Sequence, residues 1–79
     1  MDIDESKIDE VVLALLHLTS FGIGGATRAW KSHDWAVLDR LYEKGFIGDP
    51  KGKAKSIIFT EAGEQQSREL FSKYFTKAG

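Results

Sequence analysis

The residues from Asp34 to Gly63, DWAVLDRLYEKGFIGDPKGKAKSIIFTEAG, constrain the fold more than any other part of the chain. Asp34 or Ser32 can cap a helix running from Asp34 to about Lys44, because a short polar side chain accepts hydrogen bonds from the unpaired N–H groups of a first turn. Gly45 follows, and glycine readily takes the left-handed conformation that closes a helix. Trp35, Leu38, Leu41 and Tyr42 form the apolar face of this helix, with Val37 at its edge. Phe46 and Ile47 then begin a strand. Asp49-Pro50-Lys51-Gly52 fits a type I turn, with Asp, Pro and Gly each at a favoured position. Lys53 to Phe59 reads as the return strand, rich in β-formers at Ile57, Ile58 and Phe59. Thr60 caps a last helix that runs to about Phe75. On that helix Gly63, Ser67, Leu70, Phe71 and Tyr74 share a face, and the small Gly63 and Ser67 predict a close approach to the hairpin.

The N-terminal half is less regular. A helix is predicted from about Ser6 to Thr19, with Ser6 and Asp9 spaced like a capping box and Asp4 and Glu5 at the positive end of the dipole. Ile8, Val11, Val12, Leu15, Leu16 and Leu18 form a stripe about 160° wide, with Leu13 outside it near the polar side. A helix this apolar is either central in the domain or shared with a second copy. Phe21 to Thr27 (FGIGGAT) reads as a break, since three glycines in four positions do not hold a helix. A short helical turn is expected over Arg28 to Lys31. The predicted architecture is α+β: a single domain over residues 1–79, in the order α-(short α)-α-β-β-α, with one two-stranded antiparallel hairpin.

A chain of 79 residues buries a limited core, which dimerisation can supplement. The net charge is −1, whereas a dedicated non-specific nucleic-acid binder is usually basic. The charge is uneven. Residues 1–10 carry five acids and one lysine, and residues 26–56 carry seven basic and four acidic side chains. The absence of cysteine excludes disulfides and thiolate metal sites. The longest apolar run, Val11 to Leu16, is far too short to span a membrane. The N-terminus is acidic where a signal peptide would be basic, so a cytoplasmic location is expected.

The segment from Leu38 to Gly63 resembles the recognition helix, wing and following helix of MarR- and PadR-type winged-helix regulators. The likeness rests on Leu41-Tyr42-Glu43-Lys44-Gly45-Phe46-Ile47 and on Phe59-Thr60-Glu61-Ala62-Gly63, about a third of the chain. It implies a winged-helix-like domain and nucleic acid as a partner. Such domains place two helices before the recognition helix; here the glycine-rich break and Arg28 to His33 stand where the second would be. The whole chain also resembles, more closely, a family of small bacterial proteins of unknown function and about this length. That likeness lies in Ala29-Trp30-Lys31, Asp34-Trp35, Leu38-Asp39-Arg40-Leu41, Lys44-Gly45, Asp49-Pro50 and Lys53-Ala54-Lys55-Ser56. It implies a compact α+β domain and no particular activity.

Two sets of residues are candidates for contact. Lys51, Lys53 and Lys55 in the wing, with Arg28 and Lys31, could track a phosphate backbone; lysine near a hairpin end is equally a device against edge-to-edge aggregation. The exposed face of the helix from Asp34 carries Ala36, Asp39, Arg40 and Glu43, where two carboxylates beside one arginine repel a duplex. Leu13, Leu16 and Trp30 are candidates for self-association. Trp35, and with less force Trp30, are expected in the core, although two tryptophans five residues apart can also form a stacking platform. Gly22 to Thr27 lacks the Gly-Lys-Ser/Thr of a phosphate loop. His17 and His33 have no partner at metal-ligand spacing. No nucleophile, acid–base pair, cofactor site or small-molecule site is expected. The reading that follows is a non-catalytic interaction domain forming a homodimer or binding a protein, and the alternative is a nucleic-acid binder acting through the wing.

Overall fold

A computed structural model describes residues 1–23 and 26–77. The chain runs α1 (Glu5–Leu18), β1 (Phe21–Ile23), β2 (Ala26–Trp30), α2 (Trp35–Glu43), β3 (Ser56–Ile58) and α3 (Glu61–Phe75). The strands form one antiparallel sheet in the order β1-β2-β3. The domain is therefore α+β, with three helices and a three-stranded sheet rather than one hairpin.

Two sequence expectations are corrected here. The predicted break at Phe21 and the predicted helical turn over Arg28 to Lys31 are instead β1 and β2. Phe21 pairs with Arg28 and Ile23 with Ala26. β2 becomes the central strand because β3 pairs along its other edge, Ala29 opposite Ile57 and Trp30 opposite Ser56. The predicted strand at Phe46 and Ile47 shrinks to a single bridge between Ile47 and Phe59, tied by the Gly48 N–H donating to the Ile58 carbonyl at 2.9 Å. The return strand is three residues long, and Lys51 to Lys55 form an exposed loop before it. β-branched and aromatic side chains at Phe21, Thr27 and Trp30 favour a pleated surface over a helical turn.

The sheet has one covered face. Ala29 and Ile57 are buried, whereas Trp30 and Ile58, each one residue along, are exposed, the alternation of a sheet packed on one side only. The buried side meets Leu13, Ala14 and Leu16 of α1, Val37, Leu38 and Leu41 of α2, Leu70 of α3, and Ile47 and Phe59.

Asp34 stands at the N-cap of α2 without a side-chain cap hydrogen bond, whereas the end of α2 and the start of α3 are capped as expected. α2 closes at Gly45, whose φ is +80°. The Gly45 N–H donates to the Tyr42 carbonyl and the Phe46 N–H to the Leu41 carbonyl, both at 3.0 Å, the paired bonds of a Schellman motif. The Thr60 hydroxyl accepts from the Gly63 N–H at 2.9 Å and donates to the Gly45 carbonyl at 2.6 Å. One side chain thus joins the end of α2 to the start of α3. The Asp49 carboxylate accepts from the Lys51 N–H at 2.9 Å, fixing the turn after Pro50. Gly63 and Ser67 are buried, as their size predicts.

α1 is turned differently from the sequence expectation. Leu13 and Leu16 are completely buried, while Ile8 is 39% and Leu18 61% exposed. Of the predicted stripe, only Leu16 belongs to the buried core, with Val12 packed partly against it. Ile8 and Leu18 face out, and Val11 and Leu15 between them are half-buried. α3 and α2 cover the opposite side of the helix, where Leu13, Ala14 and Asp9 lie buried. The cap is Asp4, accepting from the Lys7 N–H at 3.0 Å, rather than the Ser6–Asp9 pair.

Candidate interaction surfaces

Asp9 explains the rotation of α1. Its side chain is only 2% exposed, which an isolated carboxylate would not tolerate. Arg40 Nε lies 2.9 Å from both carboxylate oxygens, and Arg40 Nη2 lies 2.8 Å from one of them. Lys44 Nζ completes the shell at 2.8 Å. Arg40 lies in α2 and Lys44 is its C-cap, still in helical conformation, so the two, four residues apart, stand one above the other on a single face. The same guanidinium reaches Glu5, one turn earlier on α1, at 3.1 Å. Burial pushes the Asp9 carboxyl up, but the hydrogen bonds from Arg40 and Lys44, with their charges, outweigh it and hold it below the usual aspartate value. Arg40 is held above its ordinary value by the hydrogen bond to Asp9, which outweighs its own desolvation.

This ion cluster corrects the reading of α2's outer face. Arg40 is not a solvated cation between Asp39 and Glu43; it is committed to α1. α2 therefore offers no free donor at that position to read a base edge or neutralise a phosphate. Asp9, Arg40 and Lys44 were missed as a unit. The available signal was an acid at the second turn of a predicted apolar helix together with two cations four residues apart on another.

The outward side of α1 is the first candidate surface. Ile8, Val11, Leu15 and Leu18 follow a 3-4-3 spacing and span only about 80° at 100° per residue, the seam of a helix meant to meet another helix. Val11 and Leu15 are part-exposed between the two open ends of the row. Ile3, exposed ahead of the helix, extends the row, and with Ile8, Val11 and Val12 it lines a shallow groove whose rim carries Asp4 and Lys7.

The outer face of the sheet is the second. Trp30 is 55% exposed, and its ring packs on Phe21 with centroids 5.1 Å apart. Ile58 and Arg28 share that face by register. Trp35, expected in the core, is also 55% exposed, at the outer side of the first turn of α2, whereas Val37 and Leu38 of the same turn are buried. Tyr42 is likewise exposed rather than core-facing. The Lys31 ammonium sits 5.6 Å from the Trp35 ring centre.

The predicted contact residues divide. Arg28 Nε donates to the Ser56 hydroxyl at 2.8 Å and is partly engaged. Lys31 Nζ donates to the Gly52 carbonyl at 2.9 Å, and its N–H donates to the Lys55 carbonyl at 2.9 Å. Lys31 thus joins β2 to the loop carrying Lys51, Lys53 and Lys55, and those three are exposed. Of the self-association candidates, Trp30 is on the surface. Leu13 and Leu16 are spent on the core of the single chain and cannot face a partner while it stays folded. The row beside them, Ile8, Val11, Leu15 and Leu18, takes their place. No helix of the described residues is long and apolar enough to cross a membrane.

Comparison with known proteins gives the chain relatives and no activity. Residues 4–77 match the model of a domain of unknown function, DUF6429. The chain is 51% identical over 77 residues to an uncharacterized protein, y4hR, of Sinorhizobium fredii, covering 98% of this chain and all of that protein. No solved structure matches. With nearly its whole length matched by the family model, the chain belongs to the DUF6429 family of domains of unknown function.

Proposed function

We propose that this chain is a non-catalytic interaction domain that self-associates through the outward row of α1. The observation that carries the reading is the 3-4-3 row Ile8–Val11–Leu15–Leu18, exposed at both ends and part-exposed between, on a helix whose opposite side already supplies the core. Burying such a row removes apolar area from water at about 25 cal/mol per Å². A 14-residue helix gives a contact at the small end of stable interfaces, so dissociation in the micromolar range, about 10⁻⁶ M, is expected.

The test uses Ile8→Glu combined with Leu18→Glu, two positions whose exposure makes the fold tolerant of the change. In gel filtration the native chain should elute earlier as its concentration rises through the micromolar range. The double variant should elute as a monomer throughout, with an unchanged far-ultraviolet spectrum. Equal association of the two proteins would rule out α1 as the contact.

A second reading is favoured by one observation. The Lys31–Lys55 backbone bond brings Arg28 and Lys31 to the base of the exposed Lys51–Lys55 loop. In a winged-helix-like view of the C-terminal half, that loop is the wing, and its lysines contact phosphates. Binding of a mixed-sequence duplex should then fall by about a factor of ten or more between 50 and 200 mM salt, as the release of a few counterions requires. Replacing Lys51, Lys53 and Lys55 with glutamate should abolish it. Absence of binding at 50 mM salt would remove this reading. The commitment of Arg40 and Lys44 to Asp9 sets it second, since α2 has lost those two cations as free donors.

A further inference from the structure

We infer that the outer face of the sheet binds a single-stranded nucleic acid, whose unpaired bases stack on Trp30 and Arg28 while its phosphates lie along the Lys51–Lys55 loop. Strand register builds the platform. Residues directly opposed in antiparallel strands project to the same side of a sheet. Phe21, Arg28 and Ile58 therefore form one row across all three strands, and Trp30 and Ser56 form the next. Trp30 is 55% exposed, yet its ring is held against Phe21. A side chain already held in place loses little rotamer freedom when a base stacks on it. The Arg28 guanidinium is held as well. Its Nε donates to the Ser56 hydroxyl at 2.8 Å and its Nη2 to the Ser56 carbonyl at 3.3 Å. An aromatic ring and a guanidinium plane side by side are the two surfaces on which unpaired bases stack.

Charge and chemistry choose the occupant. Among the described residues every ion pair gathers on Arg40 or Lys44. Arg28, Lys31, Lys51, Lys53 and Lys55 have no carboxylate partner there, although they adjoin one end of the sheet. Lys31 follows the last residue of β2 and Lys55 precedes the first of β3, and the Lys31 N–H donates to the Lys55 carbonyl. Asp49, the acid of the same loop, turns its carboxylate onto the Lys51 N–H. A neutral protein surface would cover the rings and leave these cations uncompensated. A duplex supplies phosphates but keeps its bases stacked on one another, so Trp30 would find no partner. A single strand supplies both phosphates for the lysines and open base faces for Trp30 and Arg28. The site shares the lysine-bearing loop with the wing reading above, but its base-facing element is the sheet rather than α2. It is independent of self-association through α1.

The test titrates the whole chain into four fluorescein-labelled probes at about 50 mM salt. They are oligothymidylate and oligouridylate of about ten nucleotides, a mixed-sequence duplex, and oligoglutamate. Anisotropy gives the affinity, and tryptophan emission is followed with unlabelled probe. At least one single strand should bind about ten times more tightly than the duplex or oligoglutamate, and should quench the tryptophans. Which of the two binds better tells DNA from RNA, and either preference supports the site. Trp30→Ala should weaken binding by about ten-fold or more, and Trp30→Phe by about three-fold or less, since a smaller ring still stacks. The preference and the quenching are read on the native chain, so no variant has to fold for the inference to fail. Equal binding of single strand and duplex would overturn it and leave the wing reading in place. Unchanged affinity in a folded Trp30→Ala protein would overturn it in favour of the loop alone. Oligoglutamate bound as tightly as the oligonucleotides would overturn it in favour of an acidic peptide. No binding of any probe would remove both this site and the wing reading, with self-association untouched.

Discussion

Gly63→Ala should be among the most damaging single-methyl changes in this domain, lowering stability by about 3 kcal/mol or more. A Cβ built on Gly63 would sit 1.7 Å from the carbonyl oxygen of Phe46 and 2.5 Å from its carbonyl carbon. These are backbone atoms and cannot rotate away. The same carbonyl accepts from the Thr60 N–H, and Thr60 holds both the end of α2 and the start of α3. Relieving the clash would therefore pull apart the joint on which the C-terminal half is organised. Two effects compete. Alanine inside a helix is intrinsically better than glycine by about 1 kcal/mol; the backbone collision is larger and decides the sign. Thermal unfolding should fall by about 12 °C or more. Gly52→Ala, at a position with nothing within 4 Å of the added carbon, should change little. A Gly63→Ala protein as stable as the parent would mean that the close approach of α3 to Phe46 is not as described.

Asp9→Asn should cost about 2 kcal/mol at neutral pH and should also alter how stability depends on pH. Breaking a buried ion pair costs about 3–5 kcal/mol when the partner charge is left stranded in the interior. Here the partners left behind can turn to water, since the Arg40 and Lys44 side chains are 27% and 40% exposed. The cost is accordingly set lower. The Asp9 carboxyl titrates below its ordinary 3.8 when folded, because the hydrogen bonds and charges of Arg40 and Lys44 overcome the opposing effect of burial. A carboxyl depressed by folding stabilises the folded state above the unfolded-state value. Its contribution is lost as pH falls through the lower folded value. Native protein should thus lose stability steeply below about pH 4, and the asparagine variant should show a shallower acid limb. Parallel acid limbs for the two proteins, measured by urea unfolding across pH, would contradict the role given to this cluster.

The parts of the fold legible in the sequence were those decided by neighbours along the chain. Gly45 closing α2, Thr60 capping α3, the turn after Pro50 and the small face of Gly63 and Ser67 each depend on a few consecutive residues, and each forms as expected. The β1–β2 hairpin was hidden because glycine both breaks helices and makes hairpins. Gly24 and Gly25, between Phe21–Ile23 and Ala26–Trp30, lie outside the described residues. The orientation of α1 was not legible for a different reason. Its sequence carries apolar side chains on nearly every side, and a helical wheel cannot say which arc turns inward. The choice falls to Asp9, whose partner Arg40 is 31 residues away and on the face of its helix that was read as solvent-facing. The same non-local step displaced the self-association candidates Leu13 and Leu16 into the core and left Ile8, Val11, Leu15 and Leu18 outside. The tryptophans misled because size predicts burial only when an opposing layer exists, and among the described residues none covers Trp30 on the outer sheet face or Trp35 on the outer side of α2.

Self-association through the outward row of α1 is the function proposed for this chain. Light scattering on the native chain, from low micromolar to several hundred micromolar, tests it without any substitution. The mass should rise with concentration to twice that of one chain and stop there, as a closed pair requires. A mass that stays at one chain across the whole range, or one that climbs past two without limit, would contradict it.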